Sequence, residues 1–380
     1  MRHMLHFETA IVGGGIYGSA LAWFLSTGKV NTVLIERNIV AAGGATAYSG
    51  GILRVYDPDP LLAELALRGV HAFRNWQQLQ YPGSSPYRGT GCLYRVAKPN
   101  HADALRAVGT LSENGYRGLA LEHQDLQKRF PWLRTDAGDL ALWEEHSGFA
   151  NPRIAATNLA DGAVQQGCTR LENCEVSGID QRSGVWHLRL PFGYITCNML
   201  LLATGAFAPQ LLPGVPVYTR SITLCHVAAA AGMQFINHPV IDEVHQTYFR
   251  PAGQYAYSCG TQVYQDVSLP HQLTSVIRPE TVDALARMRQ LLKRAYLGSA
   301  MYCSKGFDAY TENKRPCIGQ VGEGGNAWVL TGFSGRGFKY ALPVAKSMAA
   351  LVARRLGKQG GEIEDHCFAL LQPLLNEYSF

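Results

Sequence analysis

The chain has 380 residues, of which 47% are hydrophobic and 17% are charged, and its formal net charge is +5. This composition excludes a disordered chain, and the length favours two domains over one. The cationic residues are scattered and form no basic stretch rich in aromatics, so we predict no nucleic-acid partner. The nine cysteines form no CxxC pair, which predicts reduced thiols and no metal site.

The hydropathy of the chain and its first residues bear on where the protein is located. No run of eighteen apolar residues occurs, so we predict no transmembrane segment. The sequence enters a buried strand at residues 9–12 and leaves no room for a cleavable signal. We therefore expect a cytoplasmic protein.

The first predicted elements are buried strands and apolar helices. Strands are predicted at 9–12 and 30–35, and the helix between them, over 16–27, ends at Gly28. Another helix begins at Asp59-Pro60, where the aspartate caps the helix and the proline occupies its first turn.

The remaining elements change in character along the chain. Alternating apolar residues predict strands, and glycine-rich or polar clusters predict turns. The predicted elements, in chain order, are a mixed segment (86–145), a helix (153–166), a hairpin (173–190), a strand (198–204), an aromatic-rich antiparallel sheet (221–265), a helix (279–297), a strand (327–331), a glycine turn (332–337) and a helix (341–356).

This order of elements predicts an α/β protein, α+β overall, with a Rossmann-like βαβ domain and a second domain built on an antiparallel sheet. The nucleotide-binding domain is predicted to be discontinuous and to comprise 1–85, 146–220 and 300–370. The substrate domain is predicted to comprise 86–145 and 221–299.

A glycine motif joins the first strand to the first helix. Gly13, Gly15 and Gly18 fit the pattern GxGxxG in the strand-to-helix context that the pattern requires. Gly13 allows the tight turn, Gly15 lets the backbone approach a pyrophosphate, and Gly18 lets the helix pack closely. Glu36 ends the second strand, where a carboxylate accepts hydrogen bonds from ribose hydroxyls and repels a 2′-phosphate.

Three further small-residue loops, at 41–46, 201–206 and 331–339, favour FAD over NAD. A long, bent dinucleotide needs backbone contacts from several separated loops, whereas NAD lies across two adjacent halves of a fold. The candidate cofactor-binding residues are Gly13, Gly15, Ile16, Tyr17, Gly18, Glu36, Arg37, Gly44, Ala45, Thr46, Ser49, Gly50, Val176, Thr204, Gly205, Gly332, Gly335, Arg336, Gly337, Phe338 and Lys339.

These motifs resemble those of the D-amino-acid oxidase superfamily of FAD-dependent oxidoreductases, in particular the branch that holds sarcosine oxidases, glycine oxidases and amino-acid deaminases. The similar segments are IVGGGIYG with Glu36, ATAYSGGILR, NMLLLATGAF and TGFSGRGFK. The resemblance implies a small amine or amino-acid substrate, hydride transfer from the carbon beside the nitrogen to flavin N5, and hydrolysis of the imine product.

The resemblance also implies roles for three residues. Arg54 and Lys339 match family cations that contact the substrate carboxylate, and Tyr248 is similar to a substrate-domain tyrosine. Cations at these positions make physical sense, because a buried carboxylate must be paired. We therefore name Arg54, Lys339 and Tyr248 as the candidate catalytic residues.

The chain departs from the sarcosine oxidase pattern at two positions. The cysteine that binds flavin covalently in those enzymes aligns with Gly306, and Cys303 lies three residues away. We expect non-covalent FAD, with attachment through Cys303 as the alternative. The lysine that activates oxygen has no counterpart here, because Ser258 stands near its position. Oxygen, a quinone or another protein therefore remain open as electron acceptors.

Two other functions remain open from the sequence. Oxidation of a hydroxy acid uses the same fold but needs a base, usually a histidine, facing the flavin, and the sequence places none there. The chain could also be an FAD-containing subunit, or an enzyme that modifies a peptide or protein. The exact substrate, its stereochemistry and the oligomeric state are left open.

Overall fold

The computed structural model describes residues 5–322, 324–358 and 371–375. The helices are α1 (Ile16–Thr27), α2 (Ala45–Tyr48), α3 (Pro60–Arg74), α4 (His101–Glu113), α5 (His123–Arg129), α6 (Pro152–Gln165), α7 (Ala208–Leu211), α8 (Arg278–Leu291) and α9 (Ala341–Arg355). Within the described ranges, no helix combines the length and the apolar character that crossing a membrane requires. The cytoplasmic location stays a prediction.

The strands form three sheets, and their presence beside the helices confirms the predicted α/β class. They are β1 (Leu5–Val12), β2 (Thr32–Ile35), β3 (Ile52–Leu53), β4 (Tyr87–Arg88), β5 (Cys92–Val96), β6 (Gly118–Glu122), β7 (Leu140–Glu144), β8 (Gly148–Ala150), β9 (Thr169–Leu171), β10 (Gly178–Arg182), β11 (Val185–Leu190), β12 (Gly193–Leu202), β13 (Tyr218–Ala229), β14 (Val240–Asp242), β15 (Thr247–Pro251), β16 (Ala256–Cys259), β17 (Asp266–Val267), β18 (Leu297–Tyr310), β19 (Cys317–Gln320) and β20 (Ala327–Thr331).

The first sheet has eight strands and a parallel centre. Its order is β10-β11-β12-β1-β2-β9, and β20 pairs with both β12 and β19. Val12 pairs with Ile35 on one side and with Leu202 on the other, so the carboxyl ends of three parallel strands meet at one edge. Open α/β sheets bind their ligands at such an edge. α1 packs against both α6 and α9, and the predicted Rossmann-like βαβ arrangement is confirmed.

The second sheet has nine strands in the order β17-β13-β16-β15-β14-β5-β7-β6, and β18 pairs with β13. Its neighbouring strands are antiparallel except for β14 and β5. The antiparallel sheet predicted over 221–265 is therefore present, and it is extended by strands from both sides of that segment. The third sheet contains only β3, β8 and β4.

Polar caps fix where two helices begin. Asp59 Oδ1 accepts a hydrogen bond from the Leu61 backbone N–H at 3.0 Å, with Pro60 in the first turn of α3, as predicted. Asn151 caps α6 in the same way and is followed by Pro152. A side-chain acceptor at this position satisfies an N–H group that the helix leaves without a partner.

One predicted helix is shorter than expected. The helix predicted over 279–297 ends at Leu291, because Leu292 has an extended backbone and forms a β-bridge with Leu133. A contact that is distant in sequence therefore overrides the helical tendency of residues 292–297.

The predicted domain boundaries differ from the sheet membership at more than one place. β4, which the prediction assigns to the substrate domain, pairs with β8 of the predicted nucleotide-binding domain. β18 pairs with β13 along the second sheet, whereas the prediction assigns residues 300–310 to the nucleotide-binding domain. The division into two domains stays a prediction. Residues 1–4, 323 and 359–370 of the predicted nucleotide-binding domain lie outside the described residues.

Candidate functional site

A cavity of about 770 Å³ opens at the carboxyl edge of the parallel sheet and extends to the second sheet. Its volume lies within the range of about 300–1,000 Å³ that is usual for ligand sites. Gly18 is the one candidate cofactor-binding residue that does not line it. The candidates that do are Gly13, Gly15, Ile16, Tyr17, Glu36, Arg37, Gly44, Ala45, Thr46, Ser49, Gly50, Val176, Thr204, Gly205, Gly332, Gly335, Arg336, Gly337, Phe338 and Lys339.

The glycine turn brings the amino end of α1 to the cavity. Gly13 has a φ of +107°, and a Cβ there would lie 2.5 Å from the Ala203 carbonyl oxygen. A Cβ on Gly18 would lie 1.8 Å from the Gly13 carbonyl oxygen. Gly18 therefore permits close packing of the turn against the helix, as predicted, without bordering the cavity.

The first turn of α1 suits an anion. Gly15 caps the helix without a side chain, and the first turn contains no acidic residue. Thr46 Oγ1 accepts a hydrogen bond from the Ile16 backbone N–H at 3.0 Å, which fixes the second small-residue loop against the helix. The partial positive charge at the helix amino end is left facing the cavity, as phosphate binding requires.

The Glu36 side chain is held against the same glycine turn by hydrogen bonds. Its Oε2 accepts a hydrogen bond from the Gly14 backbone N–H at 2.6 Å, and its Oε1 accepts one from Asn38 N–H at 2.9 Å. Each carboxylate oxygen has a second lone pair, which fits the hydroxyls of a ribose. Beside it, the Arg37 guanidinium lies 3.5 Å from the centroid of the Phe207 ring.

The glycine-rich loop near residue 335, which lies late in the sequence, forms another part of the cavity wall. Gly332 and Gly335 have φ values of +64° and +76°, and a Cβ on Gly335 would lie 2.5 Å from the Tyr310 hydroxyl. The Tyr17 hydroxyl donates to the Gly337 carbonyl oxygen at 2.7 Å, and the Tyr17 ring stacks on Phe333 at 4.0 Å. The first helix and this loop are thus joined directly.

Lys339 belongs to a buried cluster of charges. Its Nζ lies 3.3 Å from Asp57 Oδ2, and Asp57 also accepts hydrogen bonds from Arg336 Nη1 at 2.9 Å and from the Tyr340 hydroxyl at 3.0 Å. Lys339 and Asp57 are each only 2% exposed. Although burial opposes it, the charges of Lys339, Arg54 and Arg336 hold the pKa of Asp57 well below its usual range. The sequence prediction did not include Asp57.

Arg54 is the cation of this cluster that has no carboxylate partner in the part of the chain that the structure describes. It donates to the Tyr56 carbonyl oxygen and lies 4.8 Å from the centroid of the Tyr94 ring. Burial, together with the charge of Arg54, lowers the pKa of Lys339 to about 7. This cluster of Arg54, Arg336, Lys339 and Asp57 therefore holds more positive than negative charge and can receive a carboxylate.

Tyr248 lines the cavity from β15 in the second sheet, as its predicted role requires. Burial raises the pKa of its hydroxyl above the usual value, so the hydroxyl is a hydrogen-bond donor at neutral pH. A Cβ on Gly260 would lie 2.2 Å from the Tyr248 ring. This glycine makes the room that the ring occupies.

Other cavity residues were missed at the sequence level. Tyr264, Asp308 and Tyr310 line the cavity, and burial raises the pKa of Asp308 to about 6. Its carboxylate accepts hydrogen bonds from the backbone N–H groups of Ala309 at 2.8 Å and Gly335 at 3.0 Å. The spacing of Asp308 and Tyr310, two residues apart on one strand face, is the signal that could have revealed them.

The structure shows where the residues lie at the two positions that depart from the sarcosine oxidase pattern. The Cys303 thiol lies 3.0 Å from Thr281 Oγ1 on α8, and Cys303 does not line the cavity. A Cβ on Gly306 would lie 2.2 Å from the Tyr48 ring. The Tyr48 ring therefore occupies the space that a side chain at position 306 would need. Ser258 is hydrogen-bonded to His226 at 3.0 Å, and Lys339 is the one lysine among the described lining residues.

Comparison with known proteins identifies relatives over most of the chain. FAD-dependent oxidoreductase domain-containing protein 1 of Bos taurus is 23% identical over 91% of this chain and 81% of its own length. The 4-methylaminobutanoate oxidase (formaldehyde-forming) of Paenarthrobacter nicotinovorans is 23% identical over 91% of this chain. This chain spans only 44% of that oxidase.

Solved structures share the fold. L-Proline dehydrogenase from P. horikoshii superposes with a TM-score of 0.82 at 20% identity, covering 98% of this chain and 100% of that chain. Glycine oxidase from Geobacillus kaustophilus gives a TM-score of 0.80 at 19% identity, covering 98% of both chains. The model of the DAO family, described as FAD dependent oxidoreductase, matches residues 8–351. The chain therefore belongs to the DAO family of FAD-dependent oxidoreductases, as its motifs had indicated.

Proposed function

We propose that this FAD-dependent oxidoreductase oxidises a small amine or amino acid at a C–N bond and binds the substrate carboxylate through Arg54 and Lys339. The observation that supports this most is the local excess of positive charge around Asp57. Three cations, Arg54, Arg336 and Lys339, surround the single carboxylate of Asp57. Arg336 and Lys339 pair with Asp57, which leaves Arg54 without a carboxylate partner in the described residues. A substrate carboxylate that binds to Arg54 offsets the cost of burying this unpaired charge.

The residues of the cavity fit FAD as well as the substrate. The amino end of α1, which has no acidic residue in its first turn, suits the pyrophosphate, and Glu36 suits the adenosine ribose. When bound, FAD supplies the acceptor for the hydride that leaves the carbon beside the nitrogen. Water then hydrolyses the resulting imine to a carbonyl compound and an amine or ammonia.

The chain's own residues orient the substrate and limit its contact with water. Arg54 and Lys339 fix the carboxylate end, which determines where the oxidised carbon lies. Tyr248, from the opposite sheet, presents a protonated hydroxyl and an aromatic ring to the same space. Asp57 positions Lys339 at the cavity wall, because its Oδ2 accepts a hydrogen bond from Lys339 Nζ at 3.3 Å. Tyr340 in turn holds Asp57, to which its hydroxyl donates at 3.0 Å.

The lining of the cavity favours an amine over a hydroxy acid. Oxidation of an alcohol requires a group that removes the hydroxyl proton, and histidine is the usual one. No histidine lines the cavity within the described residues. An amine that binds in its neutral form needs no such base. The names of two similar proteins, 4-methylaminobutanoate oxidase and glycine oxidase, also support a substrate that carries both an amine and a carboxylate.

The test is anaerobic reduction of the bound flavin by a panel of amino acids, N-methylated amino acids and hydroxy acids, followed as bleaching of the flavin absorbance. We expect bleaching by carboxylated amines. Arg54→Gln should raise the KM about 10- to 100-fold, since a charge-assisted hydrogen bond contributes about 1.5–3 kcal/mol. Arg153→Gln, at an exposed position of α6, is the matched control. Bleaching by hydroxy acids alone, or an unchanged KM for Arg54→Gln, would contradict the proposal.

A further inference from the structure

A second cavity, of about 450 Å³, lies between α3, α9 and the loops that contain Arg117 and His146. Two carboxylates border it, and both are already engaged. Glu64 pairs with Arg68 at 3.0 Å, and Glu144 accepts hydrogen bonds from backbone N–H groups and hydroxyls. These carboxylates therefore leave little negative charge to balance the other lining residues.

The cations of this cavity are not balanced by acids. Arg74, Arg117 and Lys346 line it, and none of the three forms an ion pair within residues 5–322, 324–358 and 371–375. The pKa of His146, on the same wall, is lowered by burial and then by the charges of Arg74 and Arg117. The charge of Glu145, which does not line the cavity, opposes this lowering of the pKa.

We propose that this basic cleft, defined by Arg74, Arg117, His146 and Lys346, binds a small molecule that carries phosphate groups. Guanidinium groups bind phosphate oxygens through paired hydrogen bonds, and lysine adds a point charge. The cavity volume is sufficient for a compact phosphorylated metabolite. The cleft is distinct from the flavin cavity, because the two have no lining residue in common.

Glu144 connects the basic cleft to the candidate active site. It lines the cleft, and its two carboxylate oxygens accept hydrogen bonds from the backbone N–H groups of Val55 and Tyr56, each at 2.7 Å. These residues lie directly between Arg54 and Asp57. Through these hydrogen bonds, one residue of the cleft wall also holds the segment that carries Arg54 and Asp57.

The test uses the protein saturated with FAD, so that the amino end of α1 is not available to the probe. Inorganic pyrophosphate is titrated by calorimetry at constant ionic strength into wild type, into Arg74→Gln/Arg117→Gln, and into the charge-matched control Arg153→Gln/Arg289→Gln. All four arginines are exposed, so folding is preserved. We expect saturable one-site binding to wild type, a loss of at least about 10-fold in affinity in the first double variant, and no change in the control.

Three results would overturn the proposal. They are no saturable binding to wild type, equal affinity in wild type and Arg74→Gln/Arg117→Gln, and an equal loss in the control, which would indicate a response to net charge alone. Arg54→Gln separates this inference from the proposed function, because Arg54 belongs to the proposed substrate carboxylate site and does not line the cleft. Pyrophosphate binding that persists in that variant supports the cleft, whatever the substrate proves to be.

Discussion

The Nζ of Lys339 lies 3.3 Å from the Oδ2 of Asp57, inside the wall of the flavin cavity. The two residues are far apart in sequence, and the contact joins the segment after β3 to the glycine loop that precedes α9. Asp57 also accepts hydrogen bonds from the Arg336 guanidinium and the Tyr340 hydroxyl. It is therefore the common partner of a cluster that keeps an excess of positive charge at the cavity.

Asp57→Asn should be strongly destabilising. The change removes the carboxylate that partners Lys339 and Arg336, and breaking a buried ion pair costs about 3–5 kcal/mol. Urea unfolding of the FAD-saturated protein measures this loss. Asp266→Asn, which removes the partner of Arg220 at a position where the aspartate side chain is 45% exposed, should cost less than about 1 kcal/mol. Equal losses in the free energy of unfolding of the two variants would show that the buried cluster contributes no more to stability than an exposed ion pair.

Binding of a carboxylate ligand should weaken as the pH rises through about 7. Burial and the charge of Arg54 lower the pKa of Lys339 to about 7, so Lys339 is cationic below this pH and neutral above it. Only the cation pairs with a carboxylate, and a bound carboxylate in turn raises the lysine pKa. Titration of acetate, followed through the flavin absorbance between pH 6 and about 9, measures the dependence. Lys339→Gln should abolish the pH dependence of acetate binding. An unchanged pH dependence in that variant would assign the titration to another group.

Gly18→Ala should impair both FAD binding and stability. The added Cβ would lie 1.8 Å from the Gly13 carbonyl oxygen, so α1 must move away from the turn that presents its amino end to the cavity. We expect weaker FAD binding, measured by quenching of flavin fluorescence, and a lower Tm. Gly109→Ala, in exposed α4 with no atom within 4 Å of the new Cβ, should keep FAD affinity and raise stability slightly. Full FAD affinity in Gly18→Ala would refute the packing argument.

Denaturation should release all of the flavin from the polypeptide. Cys303 points to Thr281 on α8 and does not border the cavity. Acid precipitation followed by absorbance of the supernatant measures free flavin, and Cys303→Ser should retain the FAD content of wild type. Yellow colour that stays with the wild-type precipitate but not with the Cys303→Ser precipitate would show a covalent bond instead.

The parts of the site that could be predicted lie in short, contiguous motifs. Gly13, Gly15 and Glu36 follow from the physics of one βαβ unit, since the turn, the helix end and the strand end are close in sequence. Arg54 and Lys339 were assigned through the family resemblance, and both line the cavity. Their binding roles stay predictions, to be decided by the experiments above.

The parts that could not be predicted depend on contacts between distant segments. Asp57 lies in no motif, and its role follows only from the approach of Arg336 and Lys339 in the folded protein. Leu292 ends α8 because it bridges to Leu133, whereas its own neighbourhood favours a helix. Residues 300–310 lack the regular alternation of an amphipathic strand, and in β18 residues 299–302 are exposed while most of the residues after them are half-buried.

The hydrogen bond from Tyr17 to Gly337 has a consequence for synthesis of the protein. Ribosomes make the glycine turn and Glu36 early, but the loop that closes the cavity is made some 320 residues after Tyr17. A nascent chain that lacks this loop presents the helix end and the Glu36 carboxylate without the cavity wall that the loop forms. Capture of the flavin is therefore a late event, and a chain interrupted before Gly337 should emerge colourless even when its βαβ unit is folded.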